Sequence, residues 1–501
     1  MSSMLQPMEH FAKTLQAARR VSTPLIAIRT PDPALTVGRL REEVGRTAAV
    51  IQWDVVRGFV AVNDCGKKEL GKLVTDRDPA GVGPVEALVL ACQLSDDAVL
   101  VYSNGHRFWS DPQVAQAIWN LRDVFKANGR MLALLTAPGA ILPDELIQDV
   151  LVLDEPLPAV DDLNRILDET IAAAEAPELG PVDSSKALDA LLGLAAFPAE
   201  QVLAMSLSRT GLDLDQLWER KRQVIEQAPG LSVWRGGETF EDIGGCDNIK
   251  RFLRAVIAGE DAPRGVVFLD EIEKAFAGTG TDLSGVKTEL TGTVLAWMQD
   301  RGADGCILIG PPGAAKSLVA KAAGNTAGIP TIAFDLGAMQ NAMVGASGER
   351  LRAALKVVDA VTNGRSLWIA TCNSIGTLPP ELRRRFTLGT FFFDLPSPEE
   401  RIAIWKIYIG KYGVSGELPD DDGWTGAEIR ECCRKAHRLK LTLKESADFI
   451  VPVARSAADQ IKNLRQQASG KFISASHPGV YEYQDSIAKA RTGRAFRTPG
   501  D

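Results

Sequence analysis

One short stretch, residues 307–317 with the sequence ILIGPPGAAKS, constrains the fold of this 501-residue chain more than any other feature. Its apolar start predicts a buried strand, the glycine- and proline-rich residues predict a tight turn, and the residues from Leu318 onward predict a helix. Backbone N–H groups of such a turn and of the first helical turn converge on one point, which suits phosphate oxygens. Lys316 and Ser317 close the turn with an ammonium group for the outer phosphates and a hydroxyl for Mg²⁺. The stretch therefore predicts an α/β nucleotide-binding unit.

We expect the backbone of this loop to surround the phosphates of ATP. The predicted nucleotide contacts are Gly310, Pro311, Pro312, Gly313, Ala314, Ala315, Lys316, Ser317 and Leu318. One position departs from the pattern GxxxxGK[ST], because Ala315 stands where the pattern has glycine. If this residue has a positive φ or packs against phosphate, its Cβ lowers the affinity for ATP; otherwise alanine is tolerated.

Two other apolar runs end in polar side chains. The sequence VVFLDE at residues 266–271 predicts a buried strand that ends in two carboxylates. Such charge is costly unless a cation and a reaction use it, so we expect Asp270 to bind Mg²⁺ with Ser317, and Glu271 to polarise the attacking water. A strand at residues 368–373 ends in Asn373, whose amide is expected to orient the same water. The alternative for the carboxylates is a solvated strand end.

Further motifs accompany this loop in the second half of the chain: TFEDIGG at residues 239–245, LPPELRRRF at 378–386 and TGAE at 425–428. With them, residues 239 to about 445 resemble an AAA domain of the AAA+ superfamily of ATPases. The resemblance implies an adenine contact at Asp242, Ile243 and Gly244, a sensor role for Asn373, arginine fingers at Arg384 and Arg385, and a lid helix that contacts the nucleotide through Gly426 and Ala427. The usual spacer between the two arginines is missing here. The alternative for these arginines is a solvated basic turn.

The sequence NAMVG at residues 341–345 falls where AAA unfoldases present an aromatic-hydrophobic-glycine pore loop. The resemblance implies that Met343, Val344 and Gly345 grip a polypeptide substrate. Methionine replaces the aromatic residue, and its flexible side chain is still able to grip a chain. A solvent-facing loop is the alternative.

The order of the motifs departs from the family. In family members the strand before the phosphate loop comes first, and a second strand, the carboxylate strand and the sensor strand follow it. Here the block at residues 265–300, which contains the carboxylate strand, comes before the phosphate-loop strand at Ile307. Because parallel strands are joined by helices, rewired crossovers can place each strand in its usual position and keep Asp270 beside Ser317. We therefore expect an α/β P-loop AAA+ domain with permuted strand order and a helical lid.

Residues 1–160 alternate β-like runs, at residues 24–30, 97–102, 131–135 and 149–153, with helical stretches, and they contain no phosphate-loop pattern. This half is expected to be a degenerate ATPase-like α/β domain that binds no nucleotide, in a layout similar to cyanobacterial and plastid AAA proteins. The predicted domains are that degenerate domain (1–158), a helical lid-like region (159–230), the permuted AAA+ core (238–398), its helical lid (399–465) and a C-terminal tail (466–501), in part disordered or an oligomer contact.

Three functions fit these motifs. The leading hypothesis is a motor, dependent on ATP and Mg²⁺, that remodels a protein partner as a homo-oligomeric, hexameric ring. The others are a nucleic-acid-associated ATPase and a regulatory scaffold with slow turnover. The net charge of −8 argues against bulk binding of duplex nucleic acid, and no apolar run is long enough to span a membrane, so we expect a cytoplasmic protein without a membrane partner.

Overall fold

A computed structural model of the chain describes residues 7–44, 48–73, 81–177, 179–276, 286–340, 346–376 and 380–483. The chain forms two compact units, residues 1–223 and residues 224–501. Each contains a mostly parallel sheet, and successive residues of its central strands belong to two different buried clusters. Both faces of each sheet are therefore covered, as expected for an α/β fold.

Unit 1 contains a six-stranded sheet in the order β3-β2-β4-β5-β1-β6. Its strands are β1 (Leu25–Arg29), β2 (Val50–Asp54), β3 (Gly58–Ala61), β4 (Val99–Tyr102), β5 (Met131–Thr136) and β6 (Leu151–Asp154), and a separate short hairpin comprises β7 (Leu207–Ser208) and β8 (Gly211–Leu212). Only β3 runs antiparallel to its neighbour in the main sheet. The sequence analysis predicted β1, β4, β5 and β6 but missed the hairpin of β2 and β3.

Helices of this unit surround the sheet and then continue without strands, apart from the short hairpin. They are α1 (Pro7–Arg20), α2 (Pro33–Val44), α3 (Asp64–Leu73), α4 (Pro84–Ala91), α5 (Pro112–Ala127), α6 (Val160–Ala173), α7 (Pro181–Leu191), α8 (Ala196–Ala204) and α9 (Leu214–Glu226). Helix α6 buries Leu163, Leu167 and Ile171 along one face, which is the spacing of an amphipathic helix.

Unit 2 contains a seven-stranded sheet in the order β15-β14-β11-β13-β10-β12-β9. Its strands are β9 (Leu231–Val233), β10 (Gly265–Leu269), β11 (Asp304–Ile309), β12 (Thr331–Phe334), β13 (Ser366–Cys372), β14 (Thr390–Phe392) and β15 (Ile473–Ser474). All pairs except β12–β9 are parallel. Strand β13 lies between β10 and β11, so the strand that ends beside Asn373 has the carboxylate strand on one side and the phosphate-loop strand on the other.

The parallel strands of the two units occupy corresponding positions. Along the sheet, unit 1 runs β2-β4-β5-β1-β6, and unit 2 runs β12-β10-β13-β11-β14. The strand before the phosphate loop, β11, corresponds to β1, and the carboxylate strand β10 corresponds to β4. Strand β4 follows β1 in the chain, whereas β10 precedes β11. Corresponding strands of the two sheets, β4 and β10, therefore come at different points in the chain order of their units.

The helices of unit 2 cover the sheet, and the helices between residues 398 and 447 pack into a separate cluster, which is named the lid here after the predicted region. They are α10 (Asp247–Ile257), α11 (Ile272–Phe276), α12 (Val286–Arg301), α13 (Lys316–Ala327), α14 (Leu336–Gln340), α15 (Ala346–Thr362), α16 (Pro380–Arg385), α17 (Pro398–Tyr412), α18 (Gly426–Leu439), α19 (Leu443–Ala447), α20 (Val453–Ser456) and α21 (Ala458–Ala468). The lid core includes Trp405, Ile429 and Cys433, all buried. No helix in the described part of the chain is long and apolar enough to cross a membrane.

The segment after α21 is more ordered than its sequence indicates. Strand β15 pairs with β14, and Phe472 and Tyr481 are buried in the main core. Tyr481 donates a hydrogen bond of 2.6 Å to Asp394, which also accepts one of 2.7 Å from Arg465. A two-residue strand has no periodicity to detect, so β15 was not predicted within the C-terminal tail at residues 466–501.

Candidate nucleotide-binding site

The carboxyl ends of β10, β13 and β11 meet at one edge of the unit 2 sheet because the three strands are parallel neighbours. The Ser317 hydroxyl donates a hydrogen bond of 2.9 Å to Asp270 Oδ1, and the Thr371 hydroxyl donates one of 2.6 Å to the same oxygen. Thr371 also accepts a hydrogen bond of 3.0 Å from the backbone N–H of Glu271. The two residues predicted to share a metal ion are therefore in direct contact. Thr371, which the sequence analysis missed, joins β13 to them.

This pair fits Mg²⁺, which takes few protein ligands and completes its octahedron with phosphate oxygens and water. Within the described residues, no group of three or more His, Cys, Asp or Glu side chains is placed to hold a metal ion without other ligands. One carboxylate and one hydroxyl beside a phosphate-binding turn are the ligands expected where the nucleotide itself supplies the remaining oxygens.

Lys316 is the first residue of α13, and its side chain is buried. Its ammonium group donates hydrogen bonds of 2.8 Å to the carbonyl oxygens of both Gly310 and Pro311. Burial lowers the pKa of Lys316 to about 8, and the charge of Glu273 is the strongest effect that opposes this shift. An anionic ligand in the loop would stabilise the charged form of Lys316, so the site favours an anion.

Two non-glycine residues of the site have a positive φ: Ala315 with 67° and Glu271 with 48°. A left-handed backbone costs a residue with a Cβ about 1–2 kcal/mol, and such strain is concentrated at functional sites. Ala315 therefore occupies a conformation that favours glycine. The structure therefore shows the positive φ that was one of the two possibilities for this alanine, and a lower affinity for ATP stays a prediction.

The phosphate loop packs tightly against its surroundings. A Cβ on Gly310 would lie 2.2 Å from the carbonyl oxygen of Phe393, and one on Gly313 would lie 2.7 Å from the hydroxyl of Thr425. Pro311 and Ala314 are buried, whereas Pro312 is exposed. Only glycine fits at positions 310 and 313 without a shift of the chain.

The lid helix α18 begins next to this loop. Its sequence TGAE forms a capping box, in which the Glu428 carboxylate accepts a hydrogen bond of 2.7 Å from the N–H of Thr425. The backbone N–H of Ala427 faces the carbonyl oxygen of Gly313 at 3.4 Å. The predicted lid contacts Gly426 and Ala427 therefore lie beside the phosphate loop.

Residues 239–245, called the opening segment here, contact the lid helix α17. Asp242 caps a short turn by accepting a hydrogen bond of 2.8 Å from the N–H of Thr239. The carbonyl oxygen of Ile243 accepts one of 3.0 Å from Lys250. A Cβ on Gly244 would lie 2.7 Å from Ile404 in α17, and one on Gly426 would lie 3.6 Å from the same side chain. Ile404, which the sequence analysis did not single out, is therefore next to both of these predicted nucleotide contacts.

The catalytic candidates Glu271 and Asn373 are hydrogen-bonded to each other. Asn373 Nδ2 donates to Glu271 Oε1 at 3.1 Å and to Glu273 Oε1 at 3.0 Å, and the backbone N–H of Asn373 donates to Glu273 Oε1 at 3.0 Å. The second carboxylate oxygen of Glu271 is paired with Lys274. Glu273 is thus a third acid of the site that the sequence analysis missed, although it directly follows the predicted carboxylate pair and Ile272.

The arginine candidates lie at the opposite end of the strand from the phosphate loop. Helix α16 ends at Arg385, and a Cβ on Gly305 would lie 2.8 Å from Phe386, the next residue. Gly305 is at the start of β11 and Gly310 follows its end, so about 16 Å of strand separates them at about 3.3 Å per residue. This is farther than one arginine side chain extends.

A cavity of about 450 Å³ lies beside α16 and is lined in part by Arg383, Arg384, Lys471 and Phe472. The Nε of Arg383 is buried and has no hydrogen-bond partner in the described part of the chain. Among the described residues, neither Arg384 nor Arg385 forms an ion pair with a carboxylate. The cavity therefore has a strong positive charge. The pore-loop candidates Met343, Val344 and Gly345 lie outside the described residues.

The corresponding edge of unit 1 carries acids instead of a lysine. The turn after β1 has the sequence TPDP, and Asp32 accepts a hydrogen bond of 3.2 Å from the N–H of Leu35 at the start of α2. Buried Glu155 accepts a hydrogen bond from Thr36 and forms an ion pair of 2.6 Å with Arg39. A phosphate at this position would face two carboxylates.

Comparison with known proteins assigns AAA descriptions to both units. Residues 11–155 match the family "SpoVK-like AAA ATPase, N-terminal domain", residues 161–228 match "SpoVK-like AAA ATPase, second domain", and residues 306–362 match "ATPase family associated with various cellular activities (AAA)". The second match covers the helices α6 to α9, and the third covers the phosphate loop and the strand that follows it.

Two similar proteins carry the name "Uncharacterized AAA domain-containing protein ycf46". The protein from Trieres chinensis is 24% identical over 520 residues, which cover 90% of this chain and 95% of its own. The protein from Gracilaria tenuistipitata var. liui is 26% identical over 411 residues, which cover 70% of this chain and 76% of its own. Together with the parallel sheet and its phosphate loop, these matches show that the chain belongs to the AAA+ ATPase family.

Proposed function

We propose that unit 2 binds ATP with Mg²⁺ and hydrolyses it at the edge shared by β10, β13 and β11. The contact of 2.9 Å between Ser317 and Asp270 carries this proposal, because their chain order would not by itself bring them together. Bound MgATP supplies the scissile phosphate bond and the metal's charge. The loop N–H groups and Lys316 bind its phosphates, while Glu271 accepts the proton of the attacking water and Asn373 orients that water.

The adenine end of the nucleotide lies, in this proposal, between the opening segment and the lid. Asp242, Ile243 and Gly244 supply backbone contacts, and Ile404 supplies an apolar wall that reaches Gly426. Because both lid helices touch this region, nucleotide binding is coupled to the position of the lid.

We also propose that the enzyme works as a homo-oligomer in which Arg384 or Arg385 completes the site of a neighbouring subunit. The separation of about 16 Å along β11 supports this, because these arginines are too far from the phosphate loop of their own chain. Their lack of described carboxylate partners leaves them available to an external anion. An arginine supplied in trans is worth about 10³-fold or more in phosphoryl transfer. A hexameric ring is the assembly that the family resemblance favours.

We propose that ATP hydrolysis drives the remodelling of a protein partner, and that Met343, Val344 and Gly345 form the loop that grips this partner. Unit 1 would then be a domain without nucleotide, since Asp32 and Glu155 stand where phosphate would bind. The strain at Ala315 supports one further candidate, a regulatory ATPase with slow turnover. ATPase rates measured with an unfolded protein, single-stranded DNA and duplex DNA distinguish a protein partner from a nucleic-acid partner. Only the unfolded protein is expected to stimulate the rate.

The ATPase itself is tested with two substitutions. Glu271→Gln should bind ATP and fail to hydrolyse it, whereas Lys316→Ala should lose binding. Glu260→Gln, at an exposed turn, is the matched control and should behave as the parent protein. Equal rates for Glu271→Gln and the parent protein would contradict the assignment of Glu271.

A further inference from the structure

Glu273 is the acid of the site to which the proposed chemistry assigns no role. It lies in α11, and its Oε1 accepts two hydrogen bonds of 3.0 Å from Asn373, one from the backbone N–H and one from the amide Nδ2. Its Oε2 is buried and has no hydrogen-bond partner among the described residues. The neighbouring thiol of Cys372 donates to the carbonyl oxygen of Ser374 at 2.9 Å, and burial, with a smaller effect from nearby Glu273, raises the pKa of this thiol. A buried carboxylate oxygen without a hydrogen-bond partner is costly, so a functional reason for it is expected.

The contacts of Asn373 determine the orientation of its amide. Both Nδ2 hydrogens are used, one by Glu271 and one by Glu273. Ionised carboxylate oxygens only accept hydrogen bonds, so the amide nitrogen must face them and Oδ1 must point away. If Glu273 is removed, a single contact remains to hold the amide, and the backbone N–H at the end of β13 loses its acceptor.

We propose that Glu273 is a positioning residue that fixes the amide of Asn373 against Glu271. This inference rests on the proposed ATPase activity. Glu273 holds the strand end and the amide nitrogen with one oxygen, so that the amide keeps a fixed position beside Glu271. A misplacement of about 1 Å at such a group lowers a rate by about 100-fold.

The test compares Glu273→Ala and Glu273→Gln with Asn373→Ala and with the double substitution Glu273→Ala/Asn373→Ala. Glu273→Ala should lower kcat by about 10- to 100-fold and leave KM within about threefold, because the ground-state contacts to ATP remain. Glu273→Gln keeps an acceptor for both donors and should retain at least about a third of kcat. The double variant should fall no more than about threefold below Asn373→Ala, since both changes remove one interaction.

A second measurement needs no activity. In the nucleotide-free protein, hydrogen–deuterium exchange at the backbone N–H of Asn373 should accelerate by about tenfold or more in Glu273→Ala, while Glu260→Ala should leave it unchanged. Thermal unfolding confirms that each variant folds. A parental kcat, a raised KM with an unchanged kcat, fully multiplicative effects in the double variant, or unchanged exchange would each overturn the proposal. A parent protein no faster than Glu271→Gln would overturn the proposed ATPase instead, and exchange alone would then decide whether Glu273 holds Asn373.

Discussion

The Ser317 hydroxyl donates a hydrogen bond of 2.9 Å to Asp270, which precedes it by 47 residues. In unit 1 the strand that corresponds to β10 comes later in the chain than the strand that corresponds to β11, and yet the two sheets have corresponding strand orders. The geometry at the strand ends therefore depends on which strands are neighbours and not on their order in the chain.

Asp270→Asn should raise the Mg²⁺ concentration needed for ATP hydrolysis by about 100-fold or more, because a neutral amide replaces the carboxylate ligand. The fold should be retained, since the amide oxygen still accepts hydrogen bonds from Ser317 and Thr371. Titration of the ATPase rate with Mg²⁺ measures this shift. Asp300→Asn, at an exposed position of α12, is the control. An unchanged Mg²⁺ titration would exclude Asp270 as a ligand.

Ala315→Gly should stabilise the nucleotide-free protein by about 1 kcal/mol, because glycine adopts a φ of 67° without steric cost. Affinity for ATP should rise or stay equal. Ala314→Gly is the matched control for stability: Ala314 is not among the residues with positive φ, and its substitution should destabilise the protein. Thermal unfolding in EDTA gives both values. A less stable Ala315→Gly protein would show that the loop depends on the Cβ of alanine.

Lys316→Met should stabilise the nucleotide-free protein at pH 7 by about 1–3 kcal/mol, although it abolishes ATP binding. Burial lowers the pKa of Lys316 to about 8 from 10.5 in the unfolded chain. The unfolded state therefore binds more protons between these values, and the parent protein gains stability as the pH rises from about 8 to about 10.5. The advantage of Lys316→Met should shrink over the same interval. Chemical denaturation at pH 7 and pH 10 in EDTA checks this, and a constant difference would contradict the pKa shift.

Gly244→Ala should weaken ATP binding by displacing the lid. A Cβ at this position would lie 2.7 Å from Ile404 Cγ1 and 2.8 Å from its backbone nitrogen, which cannot move without α17. Such overpacking costs about 1–3 kcal/mol. Gly259→Ala is the control, since the nearest atom to its Cβ would be 3.5 Å away. Calorimetric titration with ATP compares them, and equal affinities would argue against a lid coupled to the opening segment.

Arg384→Ala/Arg385→Ala should be nearly inactive alone and should recover activity when mixed with Glu271→Gln subunits. In a mixed oligomer some interfaces combine an intact Glu271 with intact arginines from the neighbour, so the recovered rate should exceed either variant by about tenfold or more. The rate per subunit of the parent protein should rise with concentration. Arg41→Ala, an exposed residue of unit 1, is the control.

Normal hydrolysis by the double arginine variant alone would reject a shared site. Lys471→Ala adds a finer test, because Lys471 lines the same cavity as Arg384. In mixed oligomers, Lys471→Ala is placed either in the subunit that supplies the arginines or in the subunit that supplies the nucleotide site. A rate loss only in the first case would place this cavity against the nucleotide of the neighbouring subunit. A rate loss only in the second case would reject that placement.

Local patterns in the sequence determined the strand, turn and helix around the phosphate loop, because apolar periodicity and glycine–proline turns act within a few residues. The capping box at residues 425–428 likewise marks the start of α18. The acids after β10 were recognisable because charge at the end of an apolar run is unusual. These features established the fold class and most candidate residues of the site.

Tertiary structure alone decided which strands are neighbours, because the hydrogen bonds between β10, β13 and β11 join segments far apart in the chain. It also decided that Ala315 has a positive φ, because the sequence pattern left both signs of φ possible at this position. The contacts of Glu273 with Asn373 span 100 residues, and β15 is too short to show any periodicity. Pairing of this kind depends on how the whole core packs, and no local stretch of sequence contains that information.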